Sequence, residues 1–543
     1  MLGRSRGGIW RTGAVLVAIP VSVPIAAILL SLLAIDVEIW QHLQATVLGD
    51  YVINTLLLML LVGVFSAVLG IATAWIVSAY EFPGRGLLSL VLVLPLAAPA
   101  YVVGYVYADL LDVSGPVQTA LREAFGWSYG DYLFPNIRSL PGAALVIAGV
   151  LYPYVYLLAK ASFSRQAGVL YEAAQTLGAS PWRVFSAVAL PAARPAVAGG
   201  LALVLMETVA DYGVVEHYGV PTFTTGIFRT WYAMGERNAA LQLAACLFLI
   251  VAVLVLLEYW GRRGDHFNPV SRPRPLARKR LSAPAAVIAI TACSVPVLFG
   301  FALPFAVLVS LSVASGDPLW GSQFLRYMGN SVQVATIASL LCLLGALWLG
   351  YAQRLASGGL LSFGLRLATL GYALPGMVLA VGLLMPLTWL DRTLATYFSE
   401  AWDWPVGLIL TGSTFALLCV YVARFLTVAF NSVQSGMLQI HPRFDDVGRT
   451  LGVRPGGVLR RVHLPLLRPA LLTALLLVFI DVMKELPATL ILRPFNFETL
   501  ATRVFRLASD ERLAEASTAA LVIVVLGLIP TLMLLWTDRR ASR

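Results

Sequence analysis

Apolar residues along this chain gather into long runs separated by short polar stretches, and the runs are too long and too many for one buried core. They cover residues 12–35, 51–80, 87–111, 143–161, 196–215, 239–260, 283–313, 330–352, 360–390, 406–430, 469–492 and 514–536. Each reaches the roughly 20 residues that carry a helix across about 30 Å of hydrocarbon. Lipid offers no partner to a backbone N–H or C=O, so such runs must satisfy these groups internally as helices. The pattern predicts an all-α polytopic membrane protein with about twelve transmembrane helices. Glycine and proline interrupt several runs, as at Leu94-Pro95-Leu96-Ala97-Ala98-Pro99 and Ala373-Leu374-Pro375-Gly376. Breaks of this kind are tolerated where neighbouring helices satisfy the freed groups, so they are expected as kinks facing the protein interior.

Composition agrees with this reading. The 543 residues are 59% hydrophobic and 12% charged, with mean hydropathy +0.82, whereas soluble domains carry about 25% charged residues. The net charge of +10 is confined to loops and termini. Topology therefore explains it, and a nucleic-acid partner is not required.

The polar segments contain a duplication. Glu172-Ala173-Ala174, Gly178 and Leu190-Pro191 are answered by Asp446-Val447-Gly448, Gly452 and Leu464-Pro465, every pair 274 residues apart. Asn54-Thr55-Leu56 and Asn330-Ser331-Val332, like Pro99 and Pro375, stand 276 apart. Two parallel six-helix repeats follow: a first half over residues 1–261, a basic linker over 262–282 and a second half over 283–543. The repeated loops occupy about 163–195 and 431–469.

Arginine placement orients the repeats. The linker holds Arg262, Arg263, Arg272, Arg274, Arg278, Lys279 and Arg280 against the single acid Asp265, and positive loops face the cytosol. Alternation outward puts Arg4, Arg6, Arg11, Arg539, Arg540 and Arg543 on the same side, so both termini are expected there. Both repeated loops, with Arg165, Arg183, Arg443, Arg449, Arg454, Arg460 and Arg461, fall there too. The opposite loops carry Asp36, Glu38, Asp50, Asp391, Glu400 and Asp403. A cleaved signal peptide is the poorer reading of the start, because its apolar run exceeds the usual 7–15 residues of such a segment.

Several chemistries find no support. Cys246, Cys293, Cys342 and Cys419 all lie in apolar runs with no CxxC pair, and the five histidines are scattered, so no zinc or redox site is expected. A phosphate-binding P-loop needs GxxxxGK followed by Ser or Thr. The three lysines, Lys160, Lys279 and Lys484, are followed by Ala161, Arg280 and Glu485. Energy for any pumping must come from a separate subunit or an ion gradient.

The spacing of the duplicated loop resembles the EAA signature of binding-protein-dependent ABC importer permeases. The first copy matches almost fully, with Glu172, Ala173, Ala174, Gly178, Val188, Leu190 and Pro191; the second keeps Gly452, Val462, Leu464 and Pro465 but has Asp446-Val447-Gly448 in place of EAA. The resemblance implies that each loop docks on a cytosolic ATPase. It implies two ATPase copies carrying ATP and magnesium, an extracytoplasmic binding protein delivering cargo, a bacterial inner-membrane location and no cofactor on this chain. A glycine is expected to turn the chain between two short helices and the Leu-Pro proline to start the return to the membrane.

Segments after the loops, Met206-Glu207-Thr208-Val209-Ala210-Asp211-Tyr212-Gly213 and Asp481-Val482-Met483-Lys484-Glu485-Leu486-Pro487, are most similar to ferric-iron permeases. Related fused permeases carry thiamine, polyamines or oxyanions. Glu207 with Asp211, and Asp481 with Glu485, are spaced i, i+4 and are expected to form two-acid stripes on one helix face each. Intramembrane acids mark pathways, and oxygen donors suit hard cations such as Fe³⁺. The stripes are therefore expected to face a translocation route, with Tyr101, Tyr105 and Tyr212 adding phenolic oxygens and contacting iron only transiently. The competing reading is structural ion pairing, through Lys484 and through Arg229 and Arg503, which also stand 274 apart. A secondary transporter with two six-helix repeats remains the alternative class, though such carriers lack the Gly to Leu-Pro spacing; a channel or scaffold leaves the docking loop unexplained.

Overall fold

The computed structural model describes residues 8–33, 37–262, 278–315, 321–355, 359–404 and 407–541. Asp36, Arg4, Arg6 and Arg543 lie outside them, as does the linker over residues 263–277 with Arg263, Asp265, Arg272 and Arg274. Among the described residues each of the twelve apolar runs contains a helix, although that of 406–430 begins only at Thr414. Among the described residues ten helices are by themselves long and apolar enough to cross a bilayer. The run at 87–111 is instead a pair, Arg85–Ala97 and Ala100–Phe125, bent by 90°. The last run begins the helix Leu513–Ala541.

The chain packs as two compact units that interleave the sequence halves. One, here the first-half unit, contains Gln41–Gly226, Leu249–Pro318 and Val504–Arg543; the other, the second-half unit, contains Met1–Trp40, Ile227–Phe248 and Leu319–Arg503. The opening helix Gly8–Ser31 thus packs on Ser322–Leu355, Gly359–Ala368 and Gly376–Trp402. Reciprocally, Leu303–Ala314 packs on Leu513–Ala541 and Ala100–Leu111.

Small residues bring the central helices together. In the first-half unit Gly70 and Gly200 approach Val155 from two neighbouring helices; a Cβ on them would lie 2.7 Å from Val155 Cβ and 2.8 Å from its Cα. Leu48–Ala79, Leu140–Thr176 and Leu190–Ala210 consequently pack at backbone distance, the mode by which membrane helices associate when lipid is as apolar as their side chains. The break at Leu94 to Pro99 is interior, as expected from the sequence. Carbonyls beside it are answered by buried tyrosines, Tyr152 donating to Leu92 O at 3.0 Å and Tyr156 to Ser89 O at 2.9 Å.

The linker's far end is tied to this unit. Lys279–Arg280 pairs in parallel with Tyr80–Glu81, and Glu81 binds Arg85 at 3.1 Å. The turn between the first unit's leading helices and the end of the basic segment therefore share one side.

Candidate functional site: coupling loops and buried polar clusters

The duplicated spacing has a backbone explanation. Leu140–Thr176 runs unbroken through Glu172, Ala173 and Ala174, and Gly178 then adopts φ +79°. The Ala179 amide donates five residues back to Ala174 O at 3.0 Å, which is a Schellman termination. In the second copy Arg443–Thr450 ends identically: Gly452 has φ +71° and the Val453 amide donates to Gly448 O at 2.9 Å. The third motif position supplies the last bonded carbonyl and the glycine four residues on supplies the left-handed turn, so their separation cannot vary. At position 448 a side chain would strike Val458, whose Cγ2 lies 2.6 Å from the site of a Cβ. Only glycine fits there.

Two expectations about the loops need correction. The helix before the turn is short only in copy two, being the end of a 37-residue helix in copy one. The return to the membrane starts at Pro181 and Pro455, which lie in the first turn of the short helices Pro181–Val184 and Pro455–Val458, not at Pro191 and Pro465. Leu190-Pro191 and Leu464-Pro465 instead follow wide π-helical turns, Phe185–Ala189 and Leu459–His463. Proline lacks an N–H and crowds the carbonyl one turn back, and an i→i+5 turn just upstream relieves that crowding. Beside each glycine stands an exposed leucine, Leu177 at 87% and Leu451 at 73%. Trp182 and Val447 are exposed nearby. The side chains of Glu172, Ala173 and Arg449 lie outside the described residues, and Asp446 is exposed.

The halves fasten these loops differently. In the first, Trp75 packs on Phe163 and Phe185 with ring centroids 5.3 and 5.1 Å away, within an apolar cluster that includes Val184 and Ala189. In the second, His463 stands at the place of Ala189, and Arg354 at the place of Ser78. Arg354 Nε binds Asp445 Oδ2 at 2.6 Å while its Nη atoms donate to Met437 O and Ile440 O, both at 2.9 Å. His463 Nε2 lies 3.3 Å from Asp445 Oδ1, and Tyr351 donates to Pro455 O at 2.7 Å. One guanidinium thus caps Thr414–Gln439 and pins Arg443–Thr450. Sequence reading missed all three residues, although each breaks the repeat: Ser78, Tyr171 and Ala189 occupy the matching positions of the first half.

The acid pairs are not stripes on a helix face. Leu190–Ala210 ends before Asp211, whose backbone is already extended at ψ 134°, and Leu464–Met483 ends two residues before Glu485. The apolar run continues past both breaks, which hid them. Asp211 Oδ1 accepts the amides of Val214 and Val215 at 3.1 and 3.2 Å, at the start of Gly213–His217. Glu485 is buried and accepts the amides of Ala488 and Thr489, both at 3.1 Å, at the start of Pro487–Leu492. Arg424 Nη1 lies 3.9 Å from Glu485 Oε1, and Gly376 leaves room for both groups. Asp481 pairs with Lys484 at 2.9 Å, and Glu207 is half-buried.

The pairing of Arg229 with Arg503 also changes. Asn54 donates to Pro221 O and Asn330 to Glu498 O, at 3.0 and 2.9 Å, while the amides of Phe223 and Leu500 donate to Thr55 and Ser331. These contacts align Thr222 with Thr499, 277 apart, because three extra residues follow Glu485. Arg229 consequently matches Arg506, and Arg503 matches Gly226. The Tyr51 ring occupies the space a side chain on Gly226 would need, whereas Arg503 lies over the corresponding Tyr327 ring at 5.7 Å.

Tyr101, Tyr105 and Tyr212 are buried together in the first-half unit. Tyr105 has its ring 5.7 Å from Tyr101 and 4.7 Å from His217, and Asp211 and Tyr212 are near enough to act on it electrostatically. Beyond Tyr105 opens a cavity of about 190 Å³, lined by Asp109, Asp112, Arg138, His217 and Glu511 among others. Burial and the Arg138 guanidinium push His217, which lies between spans, down to about 4 against a weaker upward pull from Asp112. Among the described residues no three His, Cys, Asp or Glu side chains are grouped to hold a metal ion.

Ten membrane-length helices and a bent pair among the described residues, with one loop repeated at a 274-residue offset, describe a polytopic protein built of two like halves. Residues 66–260 and 360–543 match the family described as binding-protein-dependent transport system inner membrane component, and the chain belongs to it. It is an inner-membrane, multi-pass ABC importer permease with two fused halves, and its role is transport and not catalysis. It is 26% identical to the Fe(3+)-transport system permease protein FbpB 2 of Haemophilus influenzae, over 96% of each chain. Single-half relatives also match: the sulfate transport system permease protein CysT of Escherichia coli at 28% over 46% of this chain and 92% of that protein, and the molybdenum transport system permease protein ModB of Haemophilus influenzae at 32% over 36% and 85%.

Proposed function

We propose that this permease imports ferric iron, received from an extracytoplasmic binding protein and driven by two copies of a cytosolic ATPase. One observation carries the cargo assignment: similarity to a ferric permease runs end to end, through both halves. The ATPase assignment is supported by the exposed leucines at two left-handed glycine turns on duplicated loops. An apolar knob beside a fixed glycine suits a protein partner better than water. Both loops and both termini are assigned to the cytosolic side, in keeping with the arginine bias and with the pairing of Lys279–Arg280 against Tyr80–Glu81.

In this reading ATP-driven closure of the ATPases draws on the coupling loops, and hydrolysis resets the permease. Asp211 and Glu485 serve the breaks they cap, and Glu207 is the carboxylate with the better claim to face cargo. The oxyanion relatives supply the second reading. Radiolabelled ferric uptake by cells expressing the importer, with sulfate, molybdate, thiamine and polyamine as competitors, decides between them. Ferric uptake unaffected by all four is expected; competition by sulfate or molybdate with no iron uptake removes the ferric assignment.

A further inference from the structure

The short helix Pro116–Phe125, which follows the bent pair's Ala100–Leu111, carries its polarity the wrong way round for contact with water. Val117, Ala120, Leu121, Ala124 and Phe125 share one face at helical spacing, and Gln118, Thr119 and Arg122 share the other. The polar face turns to the protein. Gln118 is buried and its Nε2 donates to Leu111 O at 2.9 Å, the Tyr132 hydroxyl donates to Gln118 Oε1 at 2.7 Å, and Arg122 Nη1 donates to that hydroxyl at 3.1 Å. The apolar face turns out, with Val117, Ala120, Ala124 and Phe125 exposed. A surface helix in water shows the reverse.

Beyond the helix the exposed apolar surface continues in rings. Phe125 stacks on Trp127 with centroids 4.5 Å apart and Trp127 on Tyr132 at 5.5 Å, while Tyr129 and Leu133 are exposed. The second half ends the helix that follows Pro375 in the same way. Gly126 and Asp403 are both left-handed, at φ +66° and +48°, and the amides of Trp127 and Trp404 donate back to Arg122 O and Phe398 O at 3.1 and 3.3 Å. Tyr397, Trp402 and Trp404 are exposed there.

Chemistry and repetition choose the occupant. Tryptophan and tyrosine gather where a bilayer meets water, because one end of each is apolar and the other polar. A bilayer meets both halves alike, whereas a binding protein of one chain offers each half a different surface. The segment is also continuous with membrane helices, since it leads into Leu140–Thr176, whose 37 residues put roughly 55 Å of rise between it and the first coupling turn. We propose that residues 116–134 lie in the membrane interface remote from the coupling loops. Pro116–Phe125 rests its outward face at the boundary of acyl chains and headgroups, and the rings of Trp127 and Tyr129 stand among the headgroups. The proposal rests on the membrane location of the chain and not on its cargo.

The test places p-benzoylphenylalanine at Phe125 in the full chain, assembled with ATPase and binding protein in lipid nanodiscs and then illuminated. Mass spectrometry is expected to find phospholipid joined to position 125, and none when the same group stands at Thr119 on the opposite face. No lipid on position 125, its crosslinking to the binding protein instead, or equal lipid capture at position 119 overturns the proposal. The unmodified chain gives a second reading that no substitution can disturb. With the permease alone in nanodiscs, Phe125 and Trp127 are expected to be oxidised by hydroxyl radicals several-fold more slowly than in a synthetic peptide of residues 116–134; oxidation at the peptide's rate overturns the proposal.

Discussion

Glu485 and Asp211 hold matching places in the repeat, yet their surroundings make opposite demands. Both accept two amides at the start of a short helix, but Glu485 also faces buried Arg424 at 3.9 Å. An uncharged amide caps as well as a carboxylate in the Asp case, so Asp211→Asn is expected to leave the melting temperature in detergent nearly unchanged. Glu485→Gln removes a buried carboxylate from beside the buried Arg424 guanidinium, and losing one partner of a buried pair costs on the order of 3–5 kcal/mol, so the substitution is expected to lower the melting temperature sharply. Equal melting of the two variants would contradict the locking role of Glu485. Full stability of Asp211→Asn with abolished uptake would return Asp211 to the pathway. The i, i+4 spacing of the acids was legible, but where each helix stops was not. Apolar residues continue through the breaks, and the acid itself caps the short helix that follows each one.

At the scale of the element, the coupling loops were the most legible part of the chain, since their spacing is set locally by a Schellman turn and a π turn. What holds them was not legible, because Arg354 and Asp445 are 91 residues apart and Trp75 reaches Phe163 from another helix. Two experiments address the loops separately. Leu177→Asp with Leu451→Asp places charge on exposed knobs without touching Gly178 or Gly452. The folded permease is expected to persist on size exclusion while copurification of the ATPase is lost; retained ATPase would place docking elsewhere. Arg354→Lys keeps the charge but not the fork that grips Asp445 and two carbonyls at once. ATPase binding is expected to survive, while the ATP hydrolysed per ion imported rises because the second loop moves without its span. An unchanged ratio would make the clamp purely structural. The first half, fastened by an apolar cluster, should show no counterpart when Ser78 is changed to Ala.

The exchange of helices between halves is a property of the whole molecule that no local pattern reports. The duplication divides the chain at its basic linker, but the packing does not, since Gly8–Ser31 completes the second-half unit and Ala283–Val297 the first-half unit. Each half, expressed alone, would lack a helix that buries its core; in the first-half unit the missing partner includes Cys293 and Val297, which lie in the cluster around Trp75 and Tyr152. Membrane helices bury little apolar surface against lipid and rely on close packing, so a missing helix leaves a groove that lipid fills poorly. Cutting the chain within residues 263–277 should therefore yield halves that are degraded singly but stable together, with iron uptake restored on coexpression. A truncation removing residues 1–33 should destabilise the second-half unit, not the first, which limited proteolysis reads directly: cleavage is expected to appear first between residues 322 and 439. Stable accumulation of either half alone would mean that helix exchange does not contribute to holding the fold.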